Sequence, residues 1–584
     1  MTPPSPDLRG YVVVDRPGPA APEADRAVRR LLSAGWRKAL EIEGLGVYLG
    51  PSSPLKVVQV HRRHLLIGEW RGDGVPLSTL VALHHSAESL ARAVIGQGWG
   101  RYVMVWRDDD GGLNLLRDPS GALDCICWRY GSSAFVASQP PEALNAVLPD
   151  DLAIDWSVLG DIAGAVNLAS DTLALTGLEA VNPGSLAHVG RNVTQTALWT
   201  PVRFVAAAHR WDDSPDALAA VVDRAVKALT LGHDRIITEI SGGLDSAIIA
   251  DSLVASGAGE KSSFVTFFDD QPEGDERRFA RAAADRLGVC LDEVHKPVAA
   301  VMRRQFEPLG QSVRPALHGI DMVYDADMAD RARETGATGL LTGQGGDAVF
   351  FQSPDPLVVT DRFRREGLGG LDPAYVAAVA RWTRHSVWTI GRHALLGTRR
   401  PVPPTRRHRW LTGIEVLPPA KARQTVQIAN CQTFWSDCLR GRAATLLHPL
   451  LTQPVMEHCL ALPVDRLTLG ARDRGMARLA FHDRLPPLIR ERRDKGDLSR
   501  FYALVVRQSV AAIRDILIEG RLAQQGLIDA DVLDHDLDEA RLIWDPATNR
   551  FLILCALEVW AQAWQARIER CRRAKMAREP FENA

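Results

Sequence analysis

Residues 241–250 read Ser-Gly-Gly-Leu-Asp-Ser-Ala-Ile-Ile-Ala, "SGGLDSAIIA", between the β-branched run "RIITEI" (235–240) and a helix-like stretch. A strand that stops at Ile240 and passes through Ser-Gly-Gly into a helix gathers unpaired backbone N–H groups and the positive helix end at one point, which suits phosphate. Glycine lets a ligand approach the backbone, and the hydroxyls of Ser241 and Ser246 add donors. Asp245 is an acid aimed at a site for anions, which makes chemical sense with a divalent cation between them. The competing reading is a plain turn, with glycine for geometry and Asp and Ser as helix caps.

Working outward, strands alternate with helices. "SSFVTFF" (262–268) leads to a helix around "DERRFARAAADRLG" (275–288), "VCLDEVH" (289–295) to helical sequence near 321–335, and "ATGLLT" (337–342) to "GQGGDAVFF" (343–351). This rhythm predicts a parallel α/β sheet covered on both faces. The carboxyl ends of such strands open into a shared crevice, so Asp347 is expected to meet Asp245 there across 102 positions of sequence. Two carboxylates with phosphate oxygens make a magnesium site, because that ion keeps its waters and rarely takes an all-protein cage. A tight loop without ligand is the alternative for "GQGGD".

Before about residue 205 the pattern is different: short apolar runs separated by turn residues, with an Asp-Gly hairpin signal in "RYVMVWRDDDGGLNLLRD" (101–118), predict an antiparallel β-rich region. The stretch "GTRRPVPPTRRHRW" (397–410) reads as an exposed loop, either a solvated connection or a docking surface for an acidic or peptide partner. "CQTFWSDCLRGRAATLLHPLL" (431–451) and "NRFLILCALEVWAQAWQARIERCRRAKM" (549–576) read as helical, so the last third is expected to be mostly α.

A chain of 584 residues, 46% hydrophobic, is long enough for two or three domains. Lys+Arg 69 against Asp+Glu 71 gives a formal charge of −2, which removes the global basic field expected of a nucleic-acid or anionic-membrane binder. Only 8 of the basic residues are Lys, so each is a less casual occurrence than usual. No uninterrupted apolar stretch is long enough to span a bilayer and the start carries no signal-peptide pattern, so a cytoplasmic protein is expected. Eight Cys include no C-x-x-C; Cys125 and Cys127 alternate on a strand-like run and read as an apolar pair rather than a metal or redox site.

S-G-G-L-D-S followed by T-G-Q-G-G-D resembles the synthetase half of the asparagine synthetase family. "NLLRDPSGALDCIC" and "LEAVNPGSLAHV" are similar to its glutaminase domain, and "LLHPLLTQPVMEHCLALP" with "LPPLIRERRDKGDLSRF" to its carboxyl-terminal part. The resemblance implies residues 1–207 as an inactive glutaminase-like domain of Ntn-hydrolase (αββα) type, and 208–584 as a PP-loop ATP pyrophosphatase domain with a helical end. It implies that Ser241, Gly242, Gly243, Asp245 and Ser246 hold the pyrophosphate of ATP. Ile240, Phe268, Thr342 and Gly343 would line the adenosine, and Asp245 and Asp347 would hold Mg2+. Lys495 would neutralise the charged transition state, a task for a compact cation; a solvated surface charge is the alternative.

Three departures shape the expected reaction. Glutamine-using members begin, after Met removal, with a nucleophilic Cys; position 2 here is Thr, and no Cys precedes Cys125, so that chemistry is not expected. Gln344 stands where the family has Glu, and Ala348 where it has an acid. β-Lactam synthetase-like relatives place a basic-dyad Tyr at the position of Gln344, which has no useful basicity, leaving His318 and His448 as possible bases or as packed residues. The pattern is most similar to the isopeptide-forming cyclases of lasso peptide biosynthesis. That implies adenylation of an Asp or Glu side chain in a precursor peptide and attack by its N-terminal amine, with a leader peptidase and a leader-recognition protein as partners. The rivals are a β-lactam- or asparagine-forming enzyme on a small substrate, and a non-catalytic peptide-binding scaffold; a sulfur-transferring nucleotide-modifying enzyme would want a basic face and often paired Cys, and this sequence offers neither.

Overall fold

The computed structural model describes residues 6–16, 18, 21–108, 111–207, 212–272, 274–396, 406–493, 496, 499–542 and 547–576. The boundary expected at 207/208 therefore touches a stretch, 208–211, outside the described residues.

The first 197 residues build two six-stranded antiparallel sheets. One runs in the order Glu179–Ala180, Ile126–Tyr130, Ser133–Ala137, Tyr11–Asp15, Leu45–Leu49, Arg37–Ile42, and the other Val193–Ala197, Ser185–Val189, Leu113–Arg117, Gly98–Arg107, His64–Gly72, Val57–His61. Alternation along each strand sets the layers. Tyr11, Val13, Val103 and Val105 point between the sheets with Cys125 and Cys127, a buried apolar pair as expected. Val12 and Val14 face outward onto the helix Pro22–Ser33, while Tyr102 and Met104 face the helix Ala87–Gly96. The result is an αββα stack.

From 215 onward the chain is parallel α/β. Ser214 caps helix α1 (Pro215–Thr230) by accepting from Ala217 N at 3.2 Å. Then follow β1 (Ile236–Glu239), α2 (Leu244–Ala255), β2 (Ser262–Phe268), α3 (Arg277–Leu287), β3 (Leu291–His295), α4 (Met322–Thr335), β4 (Gly339–Leu341) and, after a long helical excursion that includes α5 (Pro419–Asn430), β5 (Thr445–Leu447). All pairings are parallel, in the order β3-β2-β1-β4-β5. One face packs on α1, α2 and α3, the other on Met328 and Ala332 of α4. The order reverses between β1 and β4, so their carboxyl ends splay apart and leave the crevice in which open α/β sheets bind ligands.

Two expectations need correction. Residues 431–451 are not a helical run: a 3-10 turn (Cys431–Trp435) and a short helix (Leu439–Ala443) lead into β5, whose three residues are strand because Leu446 and Leu447 pair with Leu340 and Leu341 of β4. The loop 397–410 lies outside the described residues as far as 405; at its end Arg406 and Arg409 are exposed as expected, but His408 and Trp410 are each 1% accessible, with Trp410 Nε1 donating to Pro183 O at 3.3 Å.

Beyond β5 the chain continues through α6 (Gly475–Ala480) to α7 (Asn549–Met576), the long basic-ended helix expected there. It packs against both halves: Trp560 and Trp564 donate to Ser312 O at 3.0 and 2.8 Å, and Arg567 donates to Pro140 O at 2.8 Å. A buried ion pair joins the halves again, with Arg314 Nε 2.8 Å from Asp124 and its Nη1 donating to Ala169 O and Thr172 O. No described helix is long and apolar enough to cross a membrane.

Candidate active site at the carboxyl end of the parallel sheet

The turn after β1 is shaped by Gly242, whose φ of +78° is a left-handed conformation disfavoured for other residues, and where a Cβ would meet Glu276 O at 2.9 Å. It delivers the chain to Gly243, the first residue before α2. No side chain caps α2. The hydroxyl of Ser246 accepts from Ser241 N at 3.1 Å and turns back toward Gly243 O, and the Asp245 carboxylate accepts from Arg474, so neither side chain serves only as a helix cap. A helix start without a side-chain cap and with two hydroxyls beside it suits an anion.

The loop after β4 lies directly against it. A Cβ on Gly343 would meet Ser246 N at 2.5 Å, and one on Gly346 would meet Asp245 Cγ at 2.3 Å. These two glycines are therefore needed for contact between the loops. Asp245 and Asp347 are brought together: Arg474 Nη1 donates to Asp245 Oδ2 at 2.8 Å and to Asp347 Oδ1 at 2.9 Å. The Asp245 side chain is 9% exposed, whereas that of Asp347 is 47% exposed and opens to the crevice. Burial works against the charge of Arg474, yet Asp245, Asp347 and Asp473 outweigh it and hold the guanidinium more firmly protonated than usual.

Arg474 was not found by sequence reasoning. It precedes α6 with a φ of +53°, and its N–H donates to the carbonyl of Phe351, itself at +62°. Two non-glycine residues in this conformation, joined by that hydrogen bond, cost about 1–2 kcal/mol each, a strain that the surrounding packing sustains at the point where the guanidinium is aimed. Two carboxylates that converge on one cationic nitrogen also suit a hard divalent ion with phosphate oxygens and water completing its shell, so the donor set fits Mg2+.

Two cavities flank the turn. One, of about 350 Å³, is lined by Ser241, Gly243, Asp245, Ser246, Thr342, Gly343 and Asp347 among others. The second, of about 520 Å³, lies over β2 and α4 and is lined by Phe268, Lys296, His318, Asp321, Tyr324 and Arg440 among others. Glu239, Ser241, Gln344 and Phe434 belong to both, so the spaces adjoin. Of the expected nucleotide residues, Ile240 is fully buried beneath the turn among α1 and α2 and lines neither cavity, nor does Gly242. Phe268 lines the larger one, with the Arg277 guanidinium 3.7 Å from its ring centroid. Lys495 lies outside the described residues; nearby, Arg492 donates to Gly242 O at 3.2 Å and Gly496 N to Glu276 at 2.7 Å.

The two histidines separate. His448 is fully buried behind the loop, with Nδ1 2.8 Å from Thr342 Oγ1, and burial with the charge of Arg440 brings its pKa down to about 3. It is a packed, neutral residue. His318 lines the larger cavity 3.2 Å from Gln344 Oε1, and burial, then Arg440 and His448, hold it neutral too.

The larger cavity also contains a charged cluster that sequence reasoning missed. Lys296, after β3, donates to Asp321 at 2.9 Å and lies 3.9 Å from the Phe501 ring centroid. Arg440 donates to Asp325 at 2.6 Å, and Tyr324 donates to Glu239 at 2.6 Å. The scarcity of Lys was the one signal that marked Lys296.

The family model described as asparagine synthase matches residues 217–566. The microcin J25-processing protein McjC of Escherichia coli is 23% identical over 335 residues, 57% of this chain and 61% of that protein, so the chain spans less than two thirds of this relative's length. Among solved structures, the allosteric regulatory enzyme of purine biosynthesis is 10% identical over 50% of this chain and 82% of its own. Glutamine phosphoribosylpyrophosphate amidotransferase from B. subtilis is 11% identical over 57% and 81%. Both align with a TM-score of 0.20, too low to add to the fold described above. With a family model covering more than half its length, including the two loops and the sheet that carries them, the chain belongs to the asparagine synthase family.

Proposed function

We propose that this protein is an ATP-dependent, AMP-forming amide ligase that closes a macrolactam within a peptide. It would activate an Asp or Glu side chain for attack by the N-terminal amine of the same chain. The observation that carries the reading is the convergence of Asp245 and Asp347 beside an uncapped helix start at the switch point of the sheet. Similarity to a protein named for processing microcin J25 favours a peptide over a small amino acid as substrate.

In this reading Ser241, Gly243 and Ser246 bind the pyrophosphate part of ATP, with Phe268, Thr342 and Gly343 toward the adenosine. Asp245 and Asp347 would hold Mg2+, which supplies charge neutralisation on the phosphates. The substrate carboxylate attacks the α-phosphorus, pyrophosphate leaves, and the acyl-adenylate stays where the walls of the two cavities limit water. The amine then displaces AMP. Such displacements need positioning and neutralised charge more than covalent help from the protein. Lys495 is proposed as a further cation toward pyrophosphate. The substrate would reach the site after a leader peptidase and a leader-recognition protein have acted.

Incubation of the purified protein with ATP, Mg2+ and a leader-free peptide containing Asp or Glu tests this by mass spectrometry. The expected result is loss of one water from the peptide with stoichiometric AMP, abolished by Asp347→Ala. Release of AMP only with small β-amino acids would exclude the peptide reading, and ATP-independent peptide binding unaffected by Asp245→Ala would favour a scaffold.

A further inference from the structure

The cations around the larger cavity are already matched. Lys296 is held by Asp321 and Arg440 by Asp325, and the phenol of Tyr502 leans on Asp321 at 3.4 Å. Glu239 differs. It lies at the end of β1, deep in the protein yet facing the open space, and among the described residues its side chain makes no ion pair; the phenol of Tyr324 is its hydrogen-bond donor. Among the described residues it is also the one carboxylate that lines both cavities, Asp245 and Asp347 lining only the smaller.

A carboxylate without a cation of its own, at the junction between the nucleotide turn and an adjoining cavity, is a receptor for a positively charged group or for a proton. Resting on the function proposed above, we infer that Glu239 anchors the attacking amine of the substrate and accepts its proton as the amide forms, with Tyr324 as the positioning residue that orients the carboxylate. The balance is simple. A neutral amine nitrogen forms a bond to the acyl carbon and the bond from that carbon to the phosphate oxygen breaks. AMP leaves with the electron pair, and the proton released by nitrogen goes to Glu239 and then to solvent.

The surroundings suit this role. Burial raises the pKa of Glu239 against the phenol of Tyr324 and the charges of Arg440 and Lys296, with Asp321 adding to the rise, which brings a carboxyl nearer the working range of a base. Tyr324 has its own pKa pushed far up by burial and by Glu239, so it stays a neutral donor. His318, which also lines this space, is held neutral by its burial and by Arg440. Gln344 offers an amide, which is no base.

The test separates the two half-reactions in the full chain. In wild type, peptide-dependent exchange of labelled pyrophosphate into ATP reports activation, and single-turnover mass spectrometry reports amide formation. Glu239→Gln, which keeps an acceptor for Tyr324, is expected to lower amide formation by roughly 100-fold or more while exchange persists. Tyr324→Phe removes a bond that favours the charged carboxylate, so the acidic limb of the rate profile is expected to move to higher pH. Amide formation within a few-fold of wild type in Glu239→Gln, an equal loss of both half-reactions, or an unmoved limb in Tyr324→Phe would overturn the assignment. No exchange at all in wild type would instead remove the functional reading beneath it, and the assignment with it.

Discussion

Substituting Gly346 by Ala tests the contact between the two loops with a single methyl group. The new Cβ would lie 2.3 Å from Asp245 Cγ and 2.6 Å from its Cβ, where ordinary contact begins at 3.4 Å, so the Asp245 side chain must retreat by about 1 Å. It has little room, being 9% exposed and bonded to Arg474. Overpacking of this kind costs about 1–3 kcal/mol, while removing a glycine from a helical turn returns up to about 1 kcal/mol, so a net loss of about 1–2 kcal/mol is expected in urea unfolding. The catalytic effect should be larger than the stability effect, because a misplacement of about 1 Å in a reacting constellation costs roughly 100-fold. Pyrophosphate exchange measures it. Gly391→Ala, in the helix Val387–Leu396 with nothing within 4 Å of the added carbon, is the matched control and should be neutral or slightly stabilising. If Gly346→Ala exchanges pyrophosphate at more than about half the wild-type rate, the loops do not meet as described and the proposed cation site loses its geometry.

Arg474→Met leaves three neighbouring carboxylates without their shared guanidinium, and removing one partner of a buried pair costs about 3–5 kcal/mol; Mg2+ should raise the melting temperature of this variant more than that of wild type, and an equal response would count against a cation between Asp245 and Asp347. Arg314→Met should destabilise by a similar amount and speed proteolysis between the halves, because Asp124 keeps Arg117 but loses the partner that crosses the interface. Lys421 is 4% exposed and burial brings its pKa down to about 8. Between pH 8 and 10.5 the unfolded chain then binds more protons than the folded one, so this group lets stability rise with pH through that window, by on the order of 3 kcal/mol in all. Buried thiols such as Cys459, with pKa pushed up to about 12 by burial, act oppositely above pH 9. The informative measurement is therefore the difference between wild type and Lys421→Met, which should change across the window; a constant difference would refute it.

The turn after Ile240 was legible because its chemistry is local: a strand, two glycines, an acid and a helix start within a dozen residues. The meeting of Asp245 and Asp347 was legible through a rule of topology, that parallel strands share one crevice. Arg474 and Glu239 were not, for separate reasons. Arg474 depends on a left-handed backbone conformation that arginine rarely adopts, and nothing in "ARDRGMAR" marks it. Glu239 occupies an ordinary alternating position in a strand, and its lack of an ion pair among the described residues follows from how Lys296 and Arg440, 57 and 201 positions onward, find other acids. β5 was missed because three residues become strand only when β4 lies beside them, and the burial of His408 and Trp410 was hidden by a flank of arginines.

The long final helix ties these parts together in another sense. Its tryptophans cap a carbonyl of the synthetase half while its next turn grips the backbone of the antiparallel half, so neither half owns it. Trimming away the first two hundred residues would leave this helix with a bare flank and its arginines pointing at nothing. A region that contributes neither glycine-rich loop thus serves as a mechanical brace for the helix that joins the two halves.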